Sequence, residues 1–542
     1  MKKNITRISV LPVAVWLCAT GLQAQNQKND TTLNRTVVVE NQYNPQIMDA
    51  DKINLLPDVE EPKATKKQIE YAATPRPLGS FVYGAMPAYG PQPVQKNAPR
   101  SFLNLGYGNN GNVTGELNYL FDMSAADKLN INAAFDGFNF EPDNSEGWKS
   151  RFYQSRFAAD YAHKFTASEL TVNGNFGTQA FNYLPIYAAT DKQTNMMGGL
   201  EAAFRSVGKQ KWQYAVEAGI RYFGRGYLYG ADESNSETNL RLKGNLSYGQ
   251  DNRFGLALDI ENASYSYEGL EGNGFIGFTP YYEYLTDYMR LHLGVKVDIN
   301  TGYESGVKIA PDVTAEFPVA DRYLFYVQAT GGTLLNDFYR FNSMTPYWGG
   351  YAGYDQMENT HVQLDALAGL KANVADNFWL NVFLGYELRN NEIGFFPFVT
   401  GDAEPLPYSF LQGKGNNIKV GAAASYQYKD LLDVSLDAVY RGWSTDDNLE
   451  PLLYNKPALD LKLDMNLHPV SRLTVNLGYQ HRSYSKGEMD AVSNLYAGVD
   501  YRFLDFFSLW VKAANLTNAD YQYYYGYPAQ KIHVMAGASF RF

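Results

Sequence analysis

Cysteine is almost missing from this chain: there is one in 542 residues, Cys18. It sits in an N-terminal stretch with basic Lys2, Lys3 and Arg7 followed by an apolar run over 10–18. That order is the order of an export signal, with cleavage expected after Ala24 although Leu22 fits poorly as the small residue wanted there. Leu17 stands where a lipid-anchored cysteine wants a small neighbour, which argues against a lipoprotein. A mature chain beginning at residue 25 has no disulfide and no thiol chemistry. Long apolar runs are missing too. Beyond residue 24 nothing is long enough for a membrane helix, and the mean hydropathy is −0.37. Positive charge is in deficit, with 46 Lys and Arg against 57 Asp and Glu; loss of the signal takes the net charge from −11 to −14. That excludes nucleic acid as a partner.

Catalytic patterns are equally scarce. His163, His292, His361, His468, His481 and His533 are scattered, without metal-ligand spacing and without cysteine partners. There is no Gly-x-Ser-x-Gly elbow and no P-loop. The acids at 141–146, 232–233 and 446–450 lack the EF-hand order and read as solvated loops. The enzymatic alternative is a Ser/His or Asp/His pair at the barrel rim, such as His481 with an acid of the 444–450 loop. The expectation is no catalytic, cofactor-binding or metal-ligating set.

What the chain does have is aromatic rings, 15% of residues with 43 Tyr, and alternation. Over 531–542, Ile532, Val534, Ala536, Ala538, Phe540 and Phe542 share one strand face; Lys531, His533, Met535, Gly537, Ser539 and Arg541 share the other. The stretch 457–468 sets Leu459, Leu461, Leu463, Met465 and Leu467 against Asp460, Lys462, Asp464, Asn466 and His468. The stretches 472–480 and 432–441 repeat the pattern. Charges at every second strand position are costly against a packed core and natural against a wet lumen. Polar tight turns fall near 124–128, 164–169, 249–253, 319–322, 374–377, 428–431 and 468–472. Longer loops fall near 139–150, 179–191, 227–235, 268–283, 341–359, 392–415 and 444–456. A soluble sandwich has no reason for that asymmetry, whereas outer-membrane barrels have short periplasmic turns and long extracellular loops. A membrane protein without spanning helices must be a closed barrel. The fold class is therefore all-β, a large transmembrane antiparallel β-barrel over 101–542. Ten strands count back from Phe542 to Asp321. Residues 284–318 leave the total at 20–22, with 22 favoured by the even-number rule.

Residues 25–100 are different: proline- and glycine-rich, irregular, with no core of their own, a periplasmic or lumenal segment. Within them Thr36, Val37, Val38, Val39 and Glu40 form a short β-prone run. Aromatic clusters elsewhere include Tyr347 with Trp348, and Tyr523, Tyr524 and Tyr525. They are either girdle and loop-packing rings or a stacking surface for a ligand such as a sugar.

The last 35 or so residues resemble the end of TonB-dependent receptors, in the run Asn515-Leu516-Thr517-Asn518, Tyr521, Gly526-Tyr527-Pro528 and the closing strand. Arg35 to Glu40 resembles the TonB box that pairs with a periplasmic energy-coupling protein. The resemblance implies a bacterial outer-membrane barrel, with Val534, Phe540 and Phe542 on the terminal strand read by the barrel-assembly machinery. It also implies solute transport. One departure matters: about 60 residues between Glu40 and Ser101 cannot hold a complete plug domain. The alternative is a non-transporting subunit of an outer-membrane assembly, export or surface-protein complex. Expected partners are outer-membrane lipid, the assembly machinery, and either the coupling protein or other outer-membrane proteins. No cofactor is expected.

Overall fold

The computed structural model describes residues 101–542, apart from 144, 146, 186–191, 209, 227–234, 320–321, 350–356, 399–405 and 488. The export signal, the segment 25–100 and the coupling-strand residues 36–40 lie outside the described residues.

Alternation becomes strand along the whole described chain. The N-terminal half holds β1 (Phe102–Gly108), β2 (Val113–Asp122), β3 (Asp127–Phe140), β4 (Ser150–Lys164), β5 (Ser168–Asn182) and β6 (Lys192–Ser206). It continues with β7 (Trp212–Arg225), β8 (Asn235–Gly249), β9 (Asn252–Tyr265), β10 (Asn273–Leu285), β11 (Arg290–Thr301) and β12 (Gly306–Val319). After β13 (Tyr323–Leu334) comes a two-turn helix, α1 (Phe338–Met344). Then follow β14 (Thr360–Ala375), β15 (Phe378–Phe398), β16 (Leu406–Tyr428), β17 (Leu432–Thr445) and β18 (Pro457–Val470). The chain ends with β19 (Leu473–Tyr484), β20 (Val492–Leu504), β21 (Phe507–Ala514), a small hairpin of β22 (Gln522–Tyr524) and β23 (Tyr527–Pro528), and β24 (His533–Arg541). Each barrel strand pairs antiparallel with the next, and β24 closes the ring between β21 and β1. The closed sheet has 22 strands.

Two strands settle the count. The stretch 284–318 carries β11 and β12, and β10 turns into β11 through a tight turn in which Thr286 N donates to Met289 O at 2.9 Å. Two expected loops are corrected. Most of 273–283 belongs to β10, and most of 392–415 belongs to the β15–β16 hairpin, whose ladder continues through Ile393↔Gln412 and Phe395↔Phe410. The ladder holds there because the upper hairpin is sheltered by apolar packing at the mouth, described below. In the opposite sense, β1 and β2 are joined on the long-loop side by a two-residue turn. Asn110 and Gly111 both have positive φ, 57° and 65°, as a type I′ hairpin requires.

The closing seam has its own packing. Gly106 and Gly537 face each other across β1 and β24, and the Trp510 ring lies over them from inside. A Cβ on either glycine would fall within 2.3 Å of that ring. Trp510 Nε1 donates to Asn104 Oδ1 at 2.6 Å, and Ser539 Oγ donates to the same oxygen at 3.1 Å.

The two faces of the wall divide as the alternation requires. Outside, β8 shows Leu240, Leu242 and Leu246, β24 shows Val534, and Phe542 follows β24 on the same face, all exposed. In a closed barrel this apolar exterior faces lipid. Inside, charges pair across strands. Asp460 lies between Arg441 (2.8 Å) and Arg482 (2.5 Å), and Lys419 lies between Asp365 (2.9 Å) and Glu387 (3.0 Å). The charges on alternate residues of β17, β18 and β19 are therefore lumenal. Fully buried aromatic side chains gather at one place, the long-loop mouth.

Candidate functional site at the capped mouth

The segment after β13 turns inward instead of arching over the surface. Asp337 caps α1: its backbone is extended and its Oδ1 accepts from Arg340 N at 2.7 Å. A two-turn helix is marginal alone, so tertiary contacts must hold it. Phe338, Phe341, Tyr347 and Trp348 supply them. Phe341 lies 5.0 Å from Phe410, 5.5 Å from Trp348 and 5.6 Å from Phe395, ring centre to ring centre. Phe338 lies 5.0 Å from Trp348, and Tyr347 meets Phe181 edge-on at 5.5 Å. Phe181 belongs to β5 and Phe410 to β16, strands half the ring of 22 apart. The aromatic core thus reaches from one wall of the mouth to the other. The loop before β24 packs on it, with Tyr527 stacked on Tyr347 at 3.5 Å.

A polar layer ties this cap to the wall. Asp337 Oδ2 accepts from Asn239 Nδ2 at 3.1 Å and from Arg221 at 3.3 Å, and Phe338 N donates to Glu237. Asn342 bridges Gln179 (2.8 Å) and Asn195 (2.9 Å). The Trp348 carbonyl accepts from Tyr183 Oη at 2.8 Å and from Arg225, whose guanidinium lies 4.0 Å from the Trp348 ring centre. Beyond the helix, Asn359 accepts from Asn273 at 2.8 Å, and Gln412 exchanges two hydrogen bonds with Glu358.

On the β15 side a bulge re-aims the strand. The register shifts between Arg389 and Glu392, and Asn391 has φ 52°. Arg389 then reaches both Glu387 and Glu392, the latter at 2.8 Å, while Lys456 from the loop after β17 closes on Glu392 and on Ile393 O at 2.9 Å. These four charges are buried and mutually compensated, as buried charges must be. Burial pushes the Asp337 carboxyl up from its usual value, with Arg221 opposing the shift, and burial pushes the Tyr347 hydroxyl up. Among the described residues no cluster of His, Cys, Asp and Glu could hold a metal ion.

The structure brings most of the aromatic residues singled out from sequence into this cap. Trp348 is fully buried, Tyr347 nearly so, and Tyr524 meets Tyr347 at 5.4 Å. The Tyr525 carbonyl accepts from Tyr408 Oη. Tyr523 is 37% exposed, edge-on to Tyr521. On the terminal strand, Val534 and Phe542 lie on the outer face, and Phe540 packs 5.1 Å from Phe507. Sequence reasoning missed α1, Glu237, Asp337 and the Arg389–Glu392–Lys456 group. The signal for α1 was present: an Asp directly before an aromatic-rich run is an N-cap pattern. No local signal pairs Lys456 with a residue 64 positions away.

An even-numbered closed barrel with an apolar belt, short turns at one end and loops at the other is a bacterial outer-membrane protein. No family model and no curated protein matches the chain. Solved structures do share the fold. The FrpB iron transporter from Neisseria meningitidis (F3-3 variant) superposes with a TM-score of 0.65 at 9% identity, over 83% of this chain and 82% of that one. FpvA of P. aeruginosa, bound to heterologous pyoverdines, gives 0.60 at 13% identity, over 82% and 72%. The ferric-catecholate import receptor Fiu from K12 E. coli gives 0.59 at 12% identity, over 82% of each. At such identities the likeness is one of fold. It agrees with the resemblance to TonB-dependent receptors drawn from the C-terminal stretch.

Proposed function

We propose that this barrel carries a solute across the outer membrane, and that the cap formed by α1 and its flanking loop is the extracellular gate. The observation that carries the reading is where the closure lies. The wall encloses a lumen lined by paired charges and amides, a path for water and polar solutes. The mouth is closed over by the inward-folded segment after β13, with the hairpin before β24 packed on it, rather than by the wall itself. Undocking of the segment that carries Phe341, Tyr347 and Trp348 would open it. The transporters that share the fold support the choice of traffic over scaffold. In this reading residues 36–40 are where a periplasmic energy-coupling protein would engage. The barrel-assembly machinery would read the strand that carries Val534, Phe540 and Phe542.

The test is permeability in cells. A barrel with 337–358 replaced by a short Gly-Ser linker and with residues 25–100 removed, at equal outer-membrane levels, should sensitise cells to bulky polar antibiotics that the membrane excludes, while the barrel lacking only 25–100 does not. Cells as resistant as those carrying the barrel lacking only 25–100 would contradict the proposal. The density of buried charge and aromatic packing in the cap favours one other reading, a permanently shut barrel that serves as a subunit of an outer-membrane complex. A stoichiometric outer-membrane partner co-purifying with the intact barrel, together with unchanged antibiotic resistance, would establish it.

A further inference from the structure

The lipid-facing wall is not uniform. Over β1–β5 the outward residues form a checkerboard of large and small side chains. One row across the sheet reads Leu105, Gly115, Phe135, Ser155, Thr178; the next reads Leu103, Leu117, Ala133, Phe157, Phe176. Gly115, Ala133 and Ser155 set a low floor. Leu105, Phe135, Phe157 and Phe176 rise around it, each 42–50% exposed. The result is an apolar slot of about 360 Å³ on the outside of the barrel. The two hydroxyls in the row satisfy each other, with Ser155 Oγ and Thr178 Oγ1 2.6 Å apart, so they leave no unmet polar group facing the chains of lipid.

Toward the long-loop end the slot runs into a second concavity of about 380 Å³, sharing Phe135 and Ser155 with the first. Its lining changes character: Tyr153, Asn139, Arg151 and Lys192. Arg151 and Lys192 stand at the loop-side ends of β4 and β6, where the apolar belt gives way to the interface. Among the described residues neither makes an ion pair with a carboxylate, and the exposed Glu141 and Asp143 of the neighbouring loop do not line the groove. Long cationic side chains at that height lie along the apolar surface and hold their charge at the headgroup level.

We infer that this groove is a site for one phosphate-bearing lipid of the leaflet on the long-loop side, an acyl chain lying in the slot and the phosphate on Arg151 and Lys192. Two observations select this occupant. The groove opens to the membrane, where its neighbours are lipids. Its two cations sit at the one end where a headgroup can reach them, and a neutral partner surface would leave them uncompensated. The inference is independent of whether the barrel conducts.

Native mass spectrometry of the detergent-purified full-length barrel, titrated with bis-phosphorylated lipid A or its dephosphorylated form, tests the site. One lipid A should be retained per barrel. Two cations at the surface imply a roughly 30-fold weaker retention for the Arg151→Gln/Lys192→Gln double variant. The dephosphorylated lipid should bind the wild type as weakly as lipid A binds that variant. Gly115→Leu fills the slot and should cost retention with both cations intact, and heat-modifiable gel migration verifies that each variant is folded. Equal retention by the double variant, equal retention of the dephosphorylated lipid, or a protein bound to the groove in place of lipid would each overturn the inference.

Discussion

Replacing Phe341 by alanine should open the cap and leave the barrel standing. The ring is fully buried and touches Trp348, Phe395 and Phe410, so it joins α1 to the β15–β16 hairpin. Removing a buried Phe costs about 3–5 kcal/mol, cavity included. The helix contributes few bonds of its own, among them Phe341 N to Asp337 O and Thr345 N to Phe341 O, both 3.0 Å. Nearly the whole cost therefore falls on the docking of the cap. The wall is held by ladders that the substitution does not touch. Hydrogen exchange separates the two. Amides over 338–345 should lose protection by on the order of 100-fold or more, the equivalent of about 3 kcal/mol in local opening. Strand amides of β2–β4 and β18–β20 should keep theirs. Unchanged protection over 338–345 would refute the claim that Phe341 pins the cap. An equal loss across all strands would refute the claim that cap and wall open separately.

Three further outcomes follow from the same geometry. Burial raises the Asp337 carboxyl above its usual 3.8, against Arg221 and Arg340 and with Glu237 and Glu261 nearby. The closed cap then binds more protons than the opened one between that value and the raised one, so cap protection, normalised to intrinsic exchange, should rise as pH is lowered from neutral toward 3.8. Asp337→Asn keeps an N-capping oxygen and should flatten that rise; an unaltered slope would remove Asp337 from the explanation. Arg389→Ala takes one of two cations from each buried carboxylate, leaving Glu387 with Lys419 and Glu392 with Lys456; it should cost at most about 3–5 kcal/mol and reduce amide protection near 389–393. Wild-type protection there would show that water reaches those carboxylates. Trp510→Ala should lower the temperature at which the barrel unfolds in SDS, through a loss of about 3–5 kcal/mol at the β1–β24 seam, with cap protection unchanged.

The wall was legible in the sequence because its signal is local. Leu459 to Leu467 against Asp460 to Asn466 states which side is lipid and which is lumen, and the Arg441–Asp460–Arg482 ion pairs confirm the lumenal side. Turn length gave the direction of the barrel for the same reason. The strand total stayed open over 284–318, where β11 and β12 are joined on the long-loop side by residues 302–305 alone, so that no long loop separates the two strands. The cap was not legible. Tyr347 and Trp348 stood out as aromatic residues, yet their partners come from β5, β7, β16 and the loop before β24. Such a core is assembled by closure of the ring and leaves no periodicity in any one stretch. The β15 bulge hid in a run that reads as loop, because a shifted register inverts the alternation that marks a strand.

The central claim is that the cap, not the wall, closes this barrel, and single-channel conductance in planar bilayers tests it most directly. Intact full-length protein should be silent. The variant lacking 337–358, with residues 25–100 also removed so that nothing else can fill the lumen, should show large stepwise openings. A silent double deletion, shown to be folded by its gel migration, would mean that the lumen itself is shut, and the cap would lose its place as the gate.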